Sequence, residues 1–187
     1  MRASTAARAL DAGAHIINDV SGGLADPEIV KVVAAAGCGY IAMHWRGHSD
    51  QMQQRAEYRD VVAEVCAELR ERIDALTSAG VEHLAIDPGL GFAKEPQHNW
   101  ELLQQMDRLH ALGYPLLIGA SRKRFLGRLL ADQGVDRAVE DREAATVAVT
   151  ALAATAGVWA VRVHDVRPNA DAVRVAAAMR SEKRGEQ

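Results

Sequence analysis

The 187-residue sequence predicts an α/β protein in which a parallel sheet is covered by helices, and two observations carry that expectation. Helix-periodic segments alternate with short, almost continuously apolar runs along the whole chain. Strands buried on both faces read this way, and the helices that bury them come from βαβ units. Finally, each apolar run ends in polar or charged residues that its own pattern does not require.

The first helix is expected over residues 3–12, closed by Gly13, with a strand over 15–20 after it. Asp26 followed by Pro27 is a start signal, an N-cap with proline at the first helical position. That helix runs through Ile29, Val32 and Val33 to Gly37, and a strand over 39–44 follows. The longest helix spans 58–78. Its residues Val62, Val65, Leu69, Ile73 and Leu76 step by three or four and so share one face. Gly80 closes it before a strand over 83–87. A helix over 99–112 ends at Gly113; a strand over 115–119 and a helix over 121–130 come next. Glu140 and Asp141 open an Ala-rich helix to Ala156, with their charge placed favourably against its dipole. A strand over 158–163 and a helix over 170–180 complete one domain, residues 1–180, and 181–187 reads as a polar tail.

Two architectures satisfy this pattern, a doubly wound open sheet and a (β/α)8 barrel. No G-x-G-x-x-G turn or Walker loop favours a nucleotide-binding open sheet. Five strands also fall short of a full barrel, which needs eight and roughly 250 residues. Composition and spacing leave the choice open.

The bulk numbers narrow the partners. With 49% hydrophobic residues, 25 acidic and 22 basic, the net charge of −3 gives no general field for nucleic acid or anionic lipid. Any anion must be held locally. The longest apolar runs, such as residues 144–154, fall short of the ~20 residues of a membrane span. Residues 1–13 carry Arg2 and Arg8 among alanines and lack the apolar centre of a signal peptide. Cys38 and Cys66 form no metal spacing or disulfide framework, so two buried free thiols and a cytosolic protein are expected.

The chemistry lies at the strand ends: INDVSGG (17–23), IAMHWRG (41–47), IDPGLGF (86–92), IGASRKRF (118–125) and VRVHDV (161–166). Ligands of parallel α/β folds sit at the carboxyl ends of the strands, so five polar ends describe one pocket rim. Together they offer an amide, a carboxylate, a lysine, an arginine and a histidine, a set that can read a flat heterocycle and hold a phosphate. In this order and spacing the five segments resemble dihydropteroate synthases, over essentially the whole chain to about residue 180. DPGLGF, ASRKRF and RVHDV carry most of that resemblance.

The resemblance implies the (β/α)8 TIM barrel, present here as about its last five strands with their helices. It also implies the condensation of 6-hydroxymethyl-7,8-dihydropterin diphosphate with p-aminobenzoate, giving 7,8-dihydropteroate and pyrophosphate in folate synthesis. Residue by residue, it makes Asn18, Met43, Asp87, Phe92, Gly119, Lys123 and Arg162 the pterin contacts and Arg162, Val163 and His164 the diphosphate contacts. Lys123, Arg162 and His164 are the catalytic group.

Elementary chemistry supports several of these roles. The Asp87 carboxylate can pair with the two adjacent N–H donors of an aminopyrimidine. Asn18, inside an apolar strand, is an amide that must find partners or cost roughly 1–3 kcal/mol. Asp19 points to the other face and reads as structural. Arg122, Lys123 and Arg124 cannot all face a pocket. Arg162 and His164 alternate with Val163, so they share a strand face, and two cationic groups there ask for an anion between them. For His44, Trp45 and Arg46, loop anchoring and ligand contact are equally open, while His15, His83, His98 and His110 read as surface histidines.

The resemblance also implies Mg2+ and a homodimer through the later helices. The family's magnesium ligand, its two mobile loops and a third-strand Asp lie in three strands that would precede this chain, roughly 80–90 residues at ~30 per βα unit. The expectation is therefore an incomplete, inactive chain. Two readings compete: a methyltetrahydrofolate:corrinoid methyltransferase domain, against which SRKRF and RVHDV argue, and a non-catalytic paralogue that binds pterin.

Overall fold

A computed structural model describes residues 1–47 and 56–181. Eight helices are described: α1 (Ala3–Asp11), α2 (Glu28–Ala36), α3 (Val61–Ser78), α4 (Pro96–Gln104), α5 (Met106–His110), α6 (Arg124–Leu129), α7 (Glu143–Thr155) and α8 (Val166–Ser181). The five strands are β1 (Ile16–Asp19), β2 (Gly39–Met43), β3 (Leu84–Asp87), β4 (Leu117–Ile118) and β5 (Ala160–Val161).

The five strands pair only in parallel and lie side by side in chain order. β1 pairs with β2 and β2 with β3, while β4 pairs with β5. A parallel bridge between Ile86 and Leu116 joins the two groups. The order never reverses, so the described strands lack the switch point that defines a doubly wound sheet. Nor do they close into a barrel: β1 and β5 are both edges.

The core lies between the sheet and the helices. Tyr40, Ala42, Ile86, Leu116 and Ile118 project from the strands into it. They meet Val62, Val65, Leu69, Ile73 and Leu76 of α3, all buried as their spacing predicts. Asp60 caps α3 by accepting from the Ala63 N–H at 2.9 Å. Asp19, on this outer face, accepts from Ser21 N, Gly23 N and the Tyr40 hydroxyl at 2.8–3.1 Å. Burial alone would raise its carboxyl, but these donors outweigh burial and hold it below its ordinary value. The structural reading of Asp19 stands.

Several boundaries move, each for a local reason. The helix expected over 99–112 starts at Pro96, with the Glu95 N–H donating to His98 Nδ1 at 3.1 Å, and breaks at Gln105 into α4 and α5. α6 begins at Arg124, since Arg122 has φ +57° and Lys123 is extended. α8 begins four residues early and takes Pro168 in its first turn, where proline removes no intrahelical bond. Ser181 closes α8, and residues 182–187 of the expected tail lie outside the described residues. Cys38 and Cys66 are free but half-buried rather than buried. His98 and His110 are half-buried, whereas His15 and His83 are exposed.

Candidate active site

On the inner face of the sheet, Ile41, Ala85 and Leu117 form a thin apolar layer, with Ala160 packed against it. Side chains alternate along a strand, so the next inward positions are Met43, Asp87, Gly119 and Arg162, at the carboxyl ends of β2 to β5. Asn18 of β1, in register with Ile41, faces the same side. Register thus brings five of the expected contacts onto one surface.

Asp87 is fully buried at the end of the central strand, and its Oδ1 accepts from Gly89 N–H at 2.8 Å. Its Oδ2 accepts from Arg162 Nη2 at 2.8 Å, and Arg162 Nη1 donates to Asn18 Oδ1 at 3.0 Å. The guanidinium lies against Gly119, where an added Cβ would stand 2.5 Å from Nη2. Glycine is required there for the approach. Two expectations change. Asn18 is exposed rather than buried, on the inner face of the outermost described strand. And Arg162 and His164 need no anion between them to coexist, since Arg162 is neutralised by Asp87.

Of the three consecutive basic residues only Lys123 turns inward. Its Nζ donates to the Leu90 carbonyl and sits 4.4 Å from the Phe92 ring centroid. Burial disfavours its ammonium, and the nearby Arg162 adds to that, bringing it down to about 8 despite the opposing pull of Asp87. Arg122 pairs with Glu143 at 3.1 Å and Arg124 with Asp136 at 3.1 Å, both away from the sheet. A cavity of about 390 Å³ opens beside them, lined among others by Gly91, Phe92, Lys94, Lys123 and Arg128. Met43 is fully buried.

His164 is exposed beyond the end of β5 and held by Ser121. The Ser121 hydroxyl accepts from the His164 backbone N–H at 3.2 Å and lies 2.8 Å from Nδ1. Ser121 thus engages Nδ1, and Nε2 is the ring nitrogen left for another partner. Ser121 was not among the expected residues; its place between Gly119 and Lys123 was the available signal.

Lys94 was also missed. Its Nζ donates to Phe92 O at 3.1 Å and lies 3.0 Å from His44 Nδ1, whose Nε2 meets Glu68 Oε2 at 2.9 Å. Arg46 binds Glu68, Glu64 at 2.8 Å and the Glu57 carbonyl at 2.8 Å, with its guanidinium 3.9 Å from the Tyr58 ring centroid. Burial and the Lys94 charge push His44 down to about 4, so it is neutral and donates through Nε2. Burial lowers Lys94 to about 7. His44 and Arg46 therefore anchor their loop to α3, which decides between the two roles left open for them.

Among the described residues no group of three His, Cys, Asp or Glu could hold a metal ion.

A row of polar side chains at the carboxyl ends of parallel strands, centred on a buried carboxylate, stands where α/β enzymes of this architecture place their ligands. Residues 1–164 match the family described as pterin binding enzyme, and the chain belongs to that family. It is 54% identical over 181 residues to the dihydropteroate synthase of Mycobacterium leprae (strain TN), covering 95% of this chain and 64% of the relative. Among solved structures, it resembles the Thermus thermophilus dihydropteroate synthase in complex with 4-aminobenzoate at a TM-score of 0.88 and 40% identity, covering 95% of this chain and 68% of that one. For the Xanthomonas albilineans dihydropteroate synthase in complex with 7,8-dihydropteroate, the TM-score is 0.85, the identity 39% and the coverage 96% and 62%. The chain spans a little under two thirds of the length of the dihydropteroate synthases of Mycobacterium leprae and Synechocystis sp., 64% and 61%.

Proposed function

We propose that this chain binds a dihydropterin diphosphate at the inner-face row and takes part in the dihydropteroate synthase reaction. The observation that carries this reading is Asp87, a fully buried carboxylate on the central strand flanked by Asn18, Gly119, Lys123 and Arg162. An aminopyrimidine edge presents two parallel N–H donors, and a fixed carboxylate is their natural acceptor. Lys123 supplies a donor for the ring oxygen and nitrogen, while Met43, Phe92 and Gly119 leave walls against which a flat ring can lie. Arg162, the Val163 backbone and Nε2 of His164 are the donors for the diphosphate.

In the reaction the methylene C–O bond breaks and its electron pair leaves with pyrophosphate. The aniline nitrogen of p-aminobenzoate then forms the new C–N bond and loses a proton. The dihydropterin ring delocalises the positive charge at the methylene, so the chain's residues orient the ring and neutralise the departing anion, with no protein nucleophile. The cavity beside Phe92, Lys123 and Arg128 is the place proposed for the benzoate. The 4-aminobenzoate and dihydropteroate bound to the two related structures support these compounds as ligands.

Strands in chain order, with the core on their helix side, support a (β/α)8 barrel arc for the fold. Exposed apolar residues on α7 and α8, among them Leu152, Val173 and Met179, support a homodimer through that face. Magnesium, when bound, would supply charge neutralisation for the diphosphate beside Arg162 and His164. The net charge and free thiols favour the cytosol. Isothermal titration of the chain with 6-hydroxymethyl-7,8-dihydropterin diphosphate, with and without magnesium, tests the reading. One ligand per chain is expected; a flat titration contradicts it.

A further inference from the structure

We propose that Arg162 is a specificity gate: its guanidinium occupies the place of the pterin on Asp87 and Asn18, and a ligand carrying phosphate draws it away more readily than one without. The proposal rests on the pterin reading above and adds how unphosphorylated pterins are disfavoured.

The guanidinium joins strands at opposite ends of the sheet. Nη2 reaches Asp87 Oδ2 at 2.8 Å on β3, and Nη1 reaches Asn18 Oδ1 at 3.0 Å on β1, from a residue that follows β5. These are the two acceptors that an aminopyrimidine edge would use. Chemically the two donors are alike, since the ring's N–C(–NH2)–N–H edge is itself a cyclic guanidine. The side chain also lies over Gly119, so it fills the inner face where a ring would lie. Ring and guanidinium cannot occupy that surface together. Oδ1 of Asp87 also accepts from the Gly89 N–H, and Oδ2 is the oxygen that Arg162 and a ring donor would contest.

A ligand must therefore displace an internal mimic before it can bind. An uncharged pterin exchanges one set of N–H···O contacts for another and leaves the arginine without its carboxylate. A pterin diphosphate offers the displaced guanidinium a new anion a short distance away, beside His164. Apparent affinity scales with the fraction of protein in the open state, so the gate weakens any ligand that does not reward the movement. The side chain is 38% exposed and lies just past the end of an edge strand, so it can swing without unpacking the core.

The test compares the affinities of wild type, Arg162→Ala and Arg162→Lys for 6-hydroxymethylpterin and for its diphosphate, by isothermal titration. Arg162→Ala is expected to bind the uncharged pterin about tenfold more tightly and the diphosphate about tenfold more weakly, as expected when a competing state is removed along with an anion contact. Arg162→Lys keeps the charge but not the planar two-donor fork. It should also tighten the uncharged pterin while retaining part of the diphosphate affinity. Equal weakening of both ligands by Arg162→Ala would overturn the gate and leave Arg162 an ordinary contact. If wild type binds neither ligand, the pterin reading falls and the gate with it; that pattern differs from equal weakening.

Discussion

The centre and the edges of the sheet hold their functional groups in different ways. Asp87 lies on β3, with a strand on either side, is fully buried, and is oriented by the backbone N–H of Gly89. Asn18 and His164 lie on or beyond the edge strands β1 and β5, are exposed, and are held by side chains alone: Asn18 by Arg162, His164 by Ser121. A central carboxylate is preorganised because the surrounding ladder fixes it before any ligand arrives. The edge groups can rearrange. The fixed group suits a rigid heterocycle, and the adjustable groups suit a flexible diphosphate.

The largest expected effect comes from the centre. Asp87→Asn should weaken binding of the pterin diphosphate roughly 100-fold, the scale of a charge-assisted pair lost from a buried site. A change under threefold in titration would break the comparison.

Lys123 sharpens it through pH. Its ammonium is lowered to about 8, so the donor to the ring is present below that pH and lost above it. Affinity should fall about tenfold per pH unit above 8, and Lys123→Met should remove that dependence. A wild-type affinity that is constant from pH 7 to 10 would contradict the role.

Lys94 tests the anchored region behind the centre by stability. It is lowered to about 7 by burial, from an ordinary value of 10.5. Below pH 7 both states carry the proton and the burial penalty is fully present. Between 7 and 10.5 the unfolded chain binds a proton that the folded chain does not, so stability rises with pH. Relative to Lys94→Met, wild type should gain up to about 1.4 kcal/mol per pH unit across that window in urea unfolding. A difference that stays level with pH would show that Lys94 titrates as in water.

The smallest effect belongs to the edge. Asn18→Ala removes one exposed contact, about 0.5–1.5 kcal/mol, so a less than about tenfold loss of pterin diphosphate affinity is expected. A loss as large as that of Asp87→Asn would show that the two positions are equivalent after all.

Much of this was legible in the sequence because strand ends betray themselves. Asp87, Lys123 and Arg162 stood out as charges terminating apolar runs, and alternation alone assigned Asp19 to the outer face. The periodicity of α3 named its buried face in advance. What stayed hidden depends on contacts between distant segments. Nothing local to Arg162 reveals that it reaches Asp87 and Asn18, 75 and 144 residues away. Lys94 drew no notice because its partners, Phe92 O and His44, meet it only after β2 and β3 pair. Asn18 seemed buried because its neighbours are apolar; its exposure on the inner face of the outermost described strand is a property of the sheet and not of the segment.

The division between a fixed centre and an adjustable edge is tested most directly by titrating Asp87→Asn and His164→Ala with two ligands, the pterin diphosphate and inorganic pyrophosphate. Asp87→Asn should lose the extra affinity contributed by the pterin while binding pyrophosphate at least as well as wild type. His164→Ala should weaken both ligands by the same factor. If Asp87→Asn instead weakens pyrophosphate as much as the pterin diphosphate, centre and edge are not separate readers, and the account is wrong.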